Sequence, residues 1–368
     1  MKVLLINEVL GTTSTGKICA QLAEQFEKDG HEVKAAYGRW GNVPEEYQKY
    51  GVRIGTDFDV KMHAVRTRLF DAHGFGSEKA TEKFLRWAGD YEPDLVWLHN
   101  LHGYYINIEL LFQWLKERPG IEKKWTLHDC WAFTGHCSHF TYVKCHKWRE
   151  RCRNCPQKKE YPASVFLDRS GGNFKRKRKA FTGVDNLSVI VPSCWLAGLV
   201  RESFLKEYPV SVRHNEIDPA IFRPTHGTFR EDHNIKGKMV LGVANVWNER
   251  KGFGDFLKLA GMLGDEYTIV LAGLTKKQIR MLPQGVIGIE KTDGQKELAS
   301  VYTDADIFVN LTYEDNYPTV NLEAQACGTP CITYRTGGSP ESVPDSNVVR
   351  CGDLQGICSL IKEERYRL

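Results

Sequence analysis

The chain has 368 residues, 42% hydrophobic and 26% charged, with a formal net charge of +4. That length exceeds one ordinary core and predicts two domains of a globular protein. No apolar run approaches the roughly 18 to 20 residues that span a bilayer, and MKVLLINEVLG lacks the longer apolar region of a signal peptide; a cytoplasmic protein is expected.

KVLLIN, residues 2–7, is a short apolar run suited to a strand buried on both faces. LGTTSTGKI follows at 10–18. Gly11, Gly16 and Lys17 satisfy G-x-x-x-x-G-K, but Ile18 stands where a P-loop needs a hydroxyl for magnesium. A P-loop kinase or ATPase is excluded. A helix is expected next, with Lys17 as its first residue, Ile18, Leu22 and Phe26 on its buried face and Gly30 at its left-handed end. HEVKAAY, PDLVWLHN, KKWTLHD and LSVIVPS are expected strands, and INIELLFQWLKER an expected helix.

NEIDPAIFRPTHGTFREDHNIKGK is polar and without periodicity, so the domains are drawn at 1–217 and 218–368. The second half repeats the pattern. Its expected strands are KMVLGVAN, YTIVLAG, GVIGIE, DIFVNLT and TPCITY. Between them lie the helical GFGDFLKLAGML, KKQIRML, QKELASVYTDA and TVNLEAQAC. Alternation of this kind predicts an α/β fold of two Rossmann-like parallel domains, with a central cleft at the strand C-terminal ends. No G-x-G-x-x-G follows the first strand, which leaves a nicotinamide or flavin cofactor without support. The acidic Asp304 and Asp306 end a helix and begin a strand, so no catalytic metal is expected there.

Residues 136–180 form an insertion of another character. Cys137, Cys145, Cys152 and Cys155 could close a structural four-thiolate zinc site, form two local disulfides or stay reduced. From Lys144 to Lys179 thirteen Lys and Arg face three acidic residues, a local +10 that leaves about −6 elsewhere. A solvated helix face accounts for FKRKRKAF. The alternative partner is an anionic membrane surface, giving a peripheral position at the inner membrane face.

The segment YEDNYPTVNLEAQACGTPCITYRTGGSPESV, residues 313–343, resembles the C-terminal signature of family 4 (group 1) glycosyltransferases, nucleotide-sugar-dependent enzymes of the GT-B fold. STGKI after the first strand, and HDCWAFTGHC with CRNCPQ, are similar to bacterial members of polysaccharide and colanic-acid-type biosynthesis. The resemblance implies a retaining, metal-independent transfer of a sugar from a nucleotide diphosphate to a hydroxyl. The acceptor would be a saccharide or lipid-linked saccharide, and neither cofactor nor nucleic acid is expected. Asp315 and Glu323 occupy its paired acidic positions, with Asp315 beside the donor sugar and Glu323 on the ribose. Arg250 and Lys251 in GVANVWNERKGF, with Thr319 and Val320 at a helix start and Gly16, would meet the diphosphate. His128 in WTLHDCWAF is the family's sugar-contacting histidine. Asn316, Tyr317, Pro318 and His99 are further donor-sugar candidates. A nucleotide-sugar epimerase or hydrolase of the same fold is the alternative, ahead of a zinc or nucleic-acid-binding module built on the insertion. The final DLQGICSLIKEERYRL is expected to give only a short closing helix.

Overall fold

Seven parallel strands make the sheet of the first unit: β1 Lys2–Ile6, β2 Glu32–Tyr37, β3 Gly51–Arg53, β4 Leu95–Leu98, β5 Glu122–Thr126, β6 Leu187–Val191 and β7 Val210–Val212. Their order is β3-β2-β1-β4-β5-β6-β7, so the chain reverses direction across the sheet between β1 and β4. The helices are α1 Thr13–Lys28, α2 Asp57–Phe70, α3 Glu78–Tyr91, α4 Ile108–Lys116, α5 Ser170–Phe181 and α6 Cys194–Glu202. The computed structural model describes residues 1–366, and the chain separates into two compact units, Met1–Arg213 and His214–Leu368.

The second unit carries six parallel strands, β8 Lys238–Val243, β9 Tyr267–Ala272, β10 Val286–Ile289, β11 Ile307–Asn310, β12 Cys331–Tyr334 and β13 Val348–Val349, in the order β10-β9-β8-β11-β12-β13. Around it lie α7 Phe229–Asp232, α8 Phe253–Leu263, α9 Lys276–Ile279, α10 Gln295–Asp304, α11 Thr319–Ala326 and α12 Leu354–Lys362. The closing α12 buries Ile357, Cys358 and Ile361 in the core shared with α8.

Period-2 side-chain alternation explains why each sheet needs helices on both faces. Leu4 and Ile6 point into one core with Val96 and Leu98, while Val3 and Leu5 point into the other with Cys19, Ala20 and Ala23. In the second unit Val240 faces Leu259 and Ile332, and its neighbours Met239 and Leu241 face Tyr302 and Phe308.

Two expectations are corrected here. Helix α1 begins at Thr13, which makes Lys17 its fifth residue, and its buried stripe is Gly16, Cys19, Ala20 and Ala23. Ile18, Leu22 and Phe26 are only half-buried beside it. Small residues win the inner face because the helix lies close to the loop after β1: a Cβ on Gly16 would stand 2.8 Å from Val9 Cγ2. The helices α2 and α3 and the short β3 and β7 complete the first unit without having been anticipated. Helix α2 buries His63 and Thr67 and turns Phe58, Met62 and Val65 outward, the reverse of the usual pattern.

His63 fixes α2 to the turn before α3. Its Nε2 accepts from the backbone N–H groups of Gly74 and Gly76, both at 3.2 Å, so the proton sits on Nδ1, which faces Ser77 Oγ at 2.9 Å. Burial pushes its pKa from 6.5 down to about 4. The unfolded chain therefore holds a proton that the folded chain refuses between those values, and stability falls as pH drops through that window. Between pH 6.5 and 4.5 the loss is expected to be about 2 kcal/mol. Urea unfolding at pH 6.5 and 4.5 checks it: His63→Asn should start less stable and show a flatter pH dependence.

Candidate active site

In the second unit the loop leaving β8 carries Asn248, whose Oδ1 accepts from Lys251 N at 3.0 Å and starts a single 3-10 turn, Glu249–Lys251. Gly252 follows at φ +73, where a Cβ would lie 2.3 Å from Leu311 O; only glycine lets this turn close on the end of β11. The turn is also tied by Tyr313 N donating to Arg250 O at 2.8 Å. These constraints aim two cations at two carboxylates. Lys251 Nζ donates to Asp315 Oδ2 at 2.8 Å, and Arg250 lies 4.0 Å from Glu314 Oε2. Glu314 is buried, whereas Asp315 keeps about a quarter of its side chain exposed. Of the two adjacent acids, Asp315 is thus the one that reaches the surface.

The backbone of Asp315 is held separately. Its carbonyl accepts from Gly338 N at 3.2 Å, and Gly337, at φ +53, would bring a Cβ within 1.8 Å of that oxygen. Past it, Asn316 and Tyr317 are buried; Tyr317 stacks on His214 with centroids 4.6 Å apart, and its carbonyl accepts from Asn215 Nδ2 at 3.0 Å. Pro318 occupies the N-cap of α11, and Thr319 and Val320 are the helix's first two residues, where backbone N–H groups lack intrahelical acceptors. The helix is pinned through Asn321, which accepts from Asn310 Nδ2 at 2.8 Å and donates to Ser342 Oγ at 2.9 Å. Glu323, one turn on, is half-buried and accepts from Tyr302 OH at 3.1 Å. The fold brings the residues singled out by the resemblance near one another: Lys251 pairs with Asp315, Arg250 approaches the adjacent Glu314, and α11 starts four residues after Asp315 and carries Glu323.

In the first unit, polar side chains gather at the C-terminal ends of β1, β2, β4 and β5. His99 and His128 stack at 5.5 Å with Nδ1 of the first 3.2 Å from Nε2 of the second. Burial holds His128 at about 4, and burial followed by its histidine neighbour takes His99 well below its usual value, so both rings are neutral. Next to them His102 Nε2 and Asp129 Oδ2 form an ion pair at 2.8 Å. Burial opposes both charges, yet each partner outweighs it: Asp129 falls to about 2 and His102 is raised. His102 Nδ1 lies 3.2 Å from Tyr161 OH. Arg39 reaches Glu8 at 3.4 Å and lies over the rings of Trp40 and Tyr104. Trp40 and Tyr161 expose 47% and 44% of their surfaces, an aromatic rim on a polar floor. Gly16 is not part of this group: the space beside its Cα is taken by Val9, and its carbonyl accepts from Gly11 N at 2.9 Å.

The insertion between β5 and α5 contains no α-helix or strand beyond the turns Trp131–Phe133 and Lys147–Arg149. Phe133, Phe140 and Trp148 form its core, with centroids 5.0 to 6.4 Å apart. Cys137, Cys145, Cys152 and Cys155 line one small cavity there and form no disulfide. Hydrogen bonding between two of these thiols lowers Cys155 to about 7 and raises Cys137. Among the described residues no three His, Cys, Asp or Glu side chains form a group that could hold a metal ion. A zinc here would require the four thiols to draw closer together.

Sequence reasoning missed Asp129 and Lys177. Asp129 adjoins His128 in LHDCW, but its pairing with His102, 27 positions earlier, is a product of the fold. Lys177 sits in the KRKRK run taken for a solvated face. Its Nζ instead donates to Trp131 O at 2.7 Å and lies 3.3 Å from that ring's centroid, and burial lowers it to about 7. The signal was there: Phe174, Lys177 and Phe181 share one helical face.

Residues 226–355 match the family described as Glycosyl transferases group 1. The chain is similar to a protein named as a colanic acid biosynthesis glycosyl transferase, WcaC of Escherichia coli (strain K12), with 25% identity over 328 residues, 84% of this chain and 76% of that one. Among solved structures, sucrose-phosphate synthase of Thermosynechococcus elongatus aligns at TM-score 0.69 and 17% identity, covering 98% of this chain and 89% of that one. Anabaena Alr3699/HepE in complex with UDP aligns at TM-score 0.65 and 13% identity, covering 99% and 89%. These likenesses establish the fold as GT-B, two Rossmann-like α/β units.

Proposed function

We propose, on the premise that residues 226–355 form a group 1 glycosyl transferase domain, that the chain moves a sugar from a nucleotide-diphosphate donor to a hydroxyl of a saccharide acceptor in polysaccharide synthesis. The observation that carries this is the pairing of Lys251 with Asp315 four residues ahead of the first residue of α11. Donor diphosphate would draw Lys251 and Arg250, and the unpaired amides at Thr319 and Val320 add partial positive charge to the same group. Glu323 would accept from ribose hydroxyls. Asp315, with Asn316, Tyr317 and Pro318 forming the adjoining wall, would accept from the donor sugar. The similarity to WcaC supports polysaccharide as the product, and the UDP in the Anabaena structure supports a nucleoside diphosphate as the leaving group.

In this reading the bond between the anomeric carbon and the phosphate oxygen breaks, and the acceptor oxygen attacks from the same face, so configuration is retained. The acceptor proton passes to the departing phosphate oxygen. Negative charge on that oxygen grows through the step, and Arg250, Lys251 and the helix amides are the groups that stabilise it, a role that leaves no catalytic metal required. His128 and His99, both neutral, are proposed partners of a sugar hydroxyl. The aromatic rim of Trp40 and Tyr161 above His102, Asp129, Glu8 and Arg39 is proposed to hold the acceptor saccharide.

Thermal unfolding with UDP, GDP and their sugars tests the donor assignment. A nucleotide at one hundred times its Kd is expected to stabilise by about 2.7 kcal/mol, a rise of roughly 5 to 10 °C. If no nucleoside diphosphate shifts the transition, the proposal fails. Sugar released or isomerised without acceptor would instead favour a hydrolase or an epimerase.

A further inference from the structure

The insertion between β5 and α5 holds a cavity that the proposed transfer does not use. Four of the chain's eleven cysteines, Cys137, Cys145, Cys152 and Cys155, line it together with Phe140 and Trp148. The four are not equivalent. Cys152 Sγ already accepts from Gly135 N at 3.2 Å, two residues before Cys137. Cys155 is fixed at its backbone, where its N–H donates to Asp168 Oδ2 at 2.6 Å, and its thiol hydrogen-bonds that of Cys137. Cys137 is buried and Cys155 is partly exposed, so a reagent in solution meets Cys155 first. Lys147 and Arg153 line the same cavity, and their charge draws a small anionic reagent toward it.

We propose that Cys137 and Cys155 form a reversible dithiol–disulfide pair whose oxidant is a low-molecular-weight disulfide. Cys155 Sγ attacks one sulfur of the reagent; a mixed disulfide forms, and one thiol leaves with the proton that Cys155 gives up. Cys137 Sγ then attacks Cys155 Sγ, the mixed disulfide breaks, and a second thiol leaves with the proton of Cys137. Two electrons pass from the protein to the reagent, and two reduced thiols are released for each bridge. Cys155 attacks and Cys137 resolves because the first is the more accessible of the two.

The bridge joins two segments that reach the proposed acceptor side. Cys137 belongs to the loop of Asp129: Trp131 N donates to Asp129 Oδ1 at 2.8 Å, Cys130 N to Ser138 O at 2.9 Å and Thr134 Oγ1 to Cys137 O at 2.5 Å. Cys155 begins the stretch that carries Tyr161, with Lys158 N donating to Cys155 O at 3.3 Å and Glu160 N to Gln157 O at 2.9 Å. His102 meets both Asp129 and Tyr161. Closing the two sulfurs from hydrogen-bond contact to a covalent bond shifts one segment against the other at His102. This effect on transfer rests on the proposed function, whereas the bridge itself does not.

The full chain, reduced and freed of reductant, is to be incubated with mixtures of reduced and oxidised glutathione, quenched in acid, alkylated and mapped by mass spectrometry. A peptide linked through Cys137 and Cys155 is expected, reversed by dithiothreitol, with Cys145 and Cys152 alkylated. Cys137→Ser should stop at a glutathione adduct on Cys155, a gain of mass that an unfolded variant would not confine to one cysteine. Cys155→Ser should leave Cys137 unmodified. No bridge, a bridge between other sulfurs, or stoichiometric zinc that keeps all four thiols from reacting overturns the proposal. The bridged chain is expected to lose about 100-fold in transfer, the scale of a small misplacement beside reacting groups, while its thermal shift with nucleotide is unchanged. Equal transfer with and without the bridge overturns the coupling to the acceptor side. A reduced chain that shows neither transfer nor a nucleotide shift would overturn the functional reading and leave the bridge standing.

Discussion

Replacing Asp315 with alanine is expected to lower turnover by about 10²- to 10³-fold while nucleotide affinity changes by no more than a few fold. The asymmetry follows from how Asp315 is held. Its carboxylate, a quarter exposed, is paired with Lys251 at 2.8 Å, but its backbone is fixed independently by Gly338 N and by the close approach of Gly337. Truncation therefore removes the acceptor proposed for the donor sugar without releasing the start of α11, which Asn310, Asn321 and Ser342 keep in place. Lys251, relieved of its partner, becomes more available to a diphosphate. Calorimetric titration of UDP or GDP beside steady-state kinetics checks this. A loss of affinity equal to the loss of turnover would mean that Asp315 serves the nucleotide loop and not the sugar.

Asp129→Asn is expected to destabilise the first unit by about 3 to 5 kcal/mol at slightly acidic pH, because it leaves the nearly buried His102 without its counter-charge. The pH dependence carries the signature. His102 is raised in the folded chain, so its contribution is whole below about 6.5 and is lost as pH rises through the folded value. Asp129 is lowered from 3.8 to about 2, so its contribution is present above 3.8 and is lost as pH falls toward 2. The native chain's advantage over the variant should therefore peak between roughly pH 4 and 6.5 and narrow on both sides. Urea midpoints across pH 3 to 9 would show it, and a constant difference would mean that the pair is not charged.

Most of the sheet architecture is legible in the chain because its strands are short apolar runs; LVWL at β4 is buried at all four positions. Helix α2 is not legible, since its apolar residues face outward and a periodicity argument assigns them to a core. The site divides in the same way. The resemblance singles out Asp315, Glu323, Arg250 and Lys251, and the turn before Gly252 sets Lys251 against Asp315 and Arg250 beside Glu314. It does not reveal that Lys251 and Asp315 pair across 64 positions of sequence, nor that Glu314 turns inward. At Gly16 packing alone accounts for the glycine that the motif singles out, because a Cβ there would meet Val9. Cysteine spacing could not choose among metal, disulfide and thiol because that choice depends on how near the sulfur atoms come.

The interior position of Lys177 restricts which kind of basic residue the run FKRKRKAF can use there. Its neighbours at 175, 178 and 179 are exposed, and lysine or arginine would serve equally there in water. At 177 the side chain enters a space bounded by Trp131, where burial brings its proton to the point of leaving near neutral pH. An ammonium group can give up that proton and remain a hydrogen-bond donor as a neutral amine; a guanidinium cannot. Two residues that composition counts as the same charge are thus chemically distinct at this one position, and the basic character of the run belongs in part to the interior.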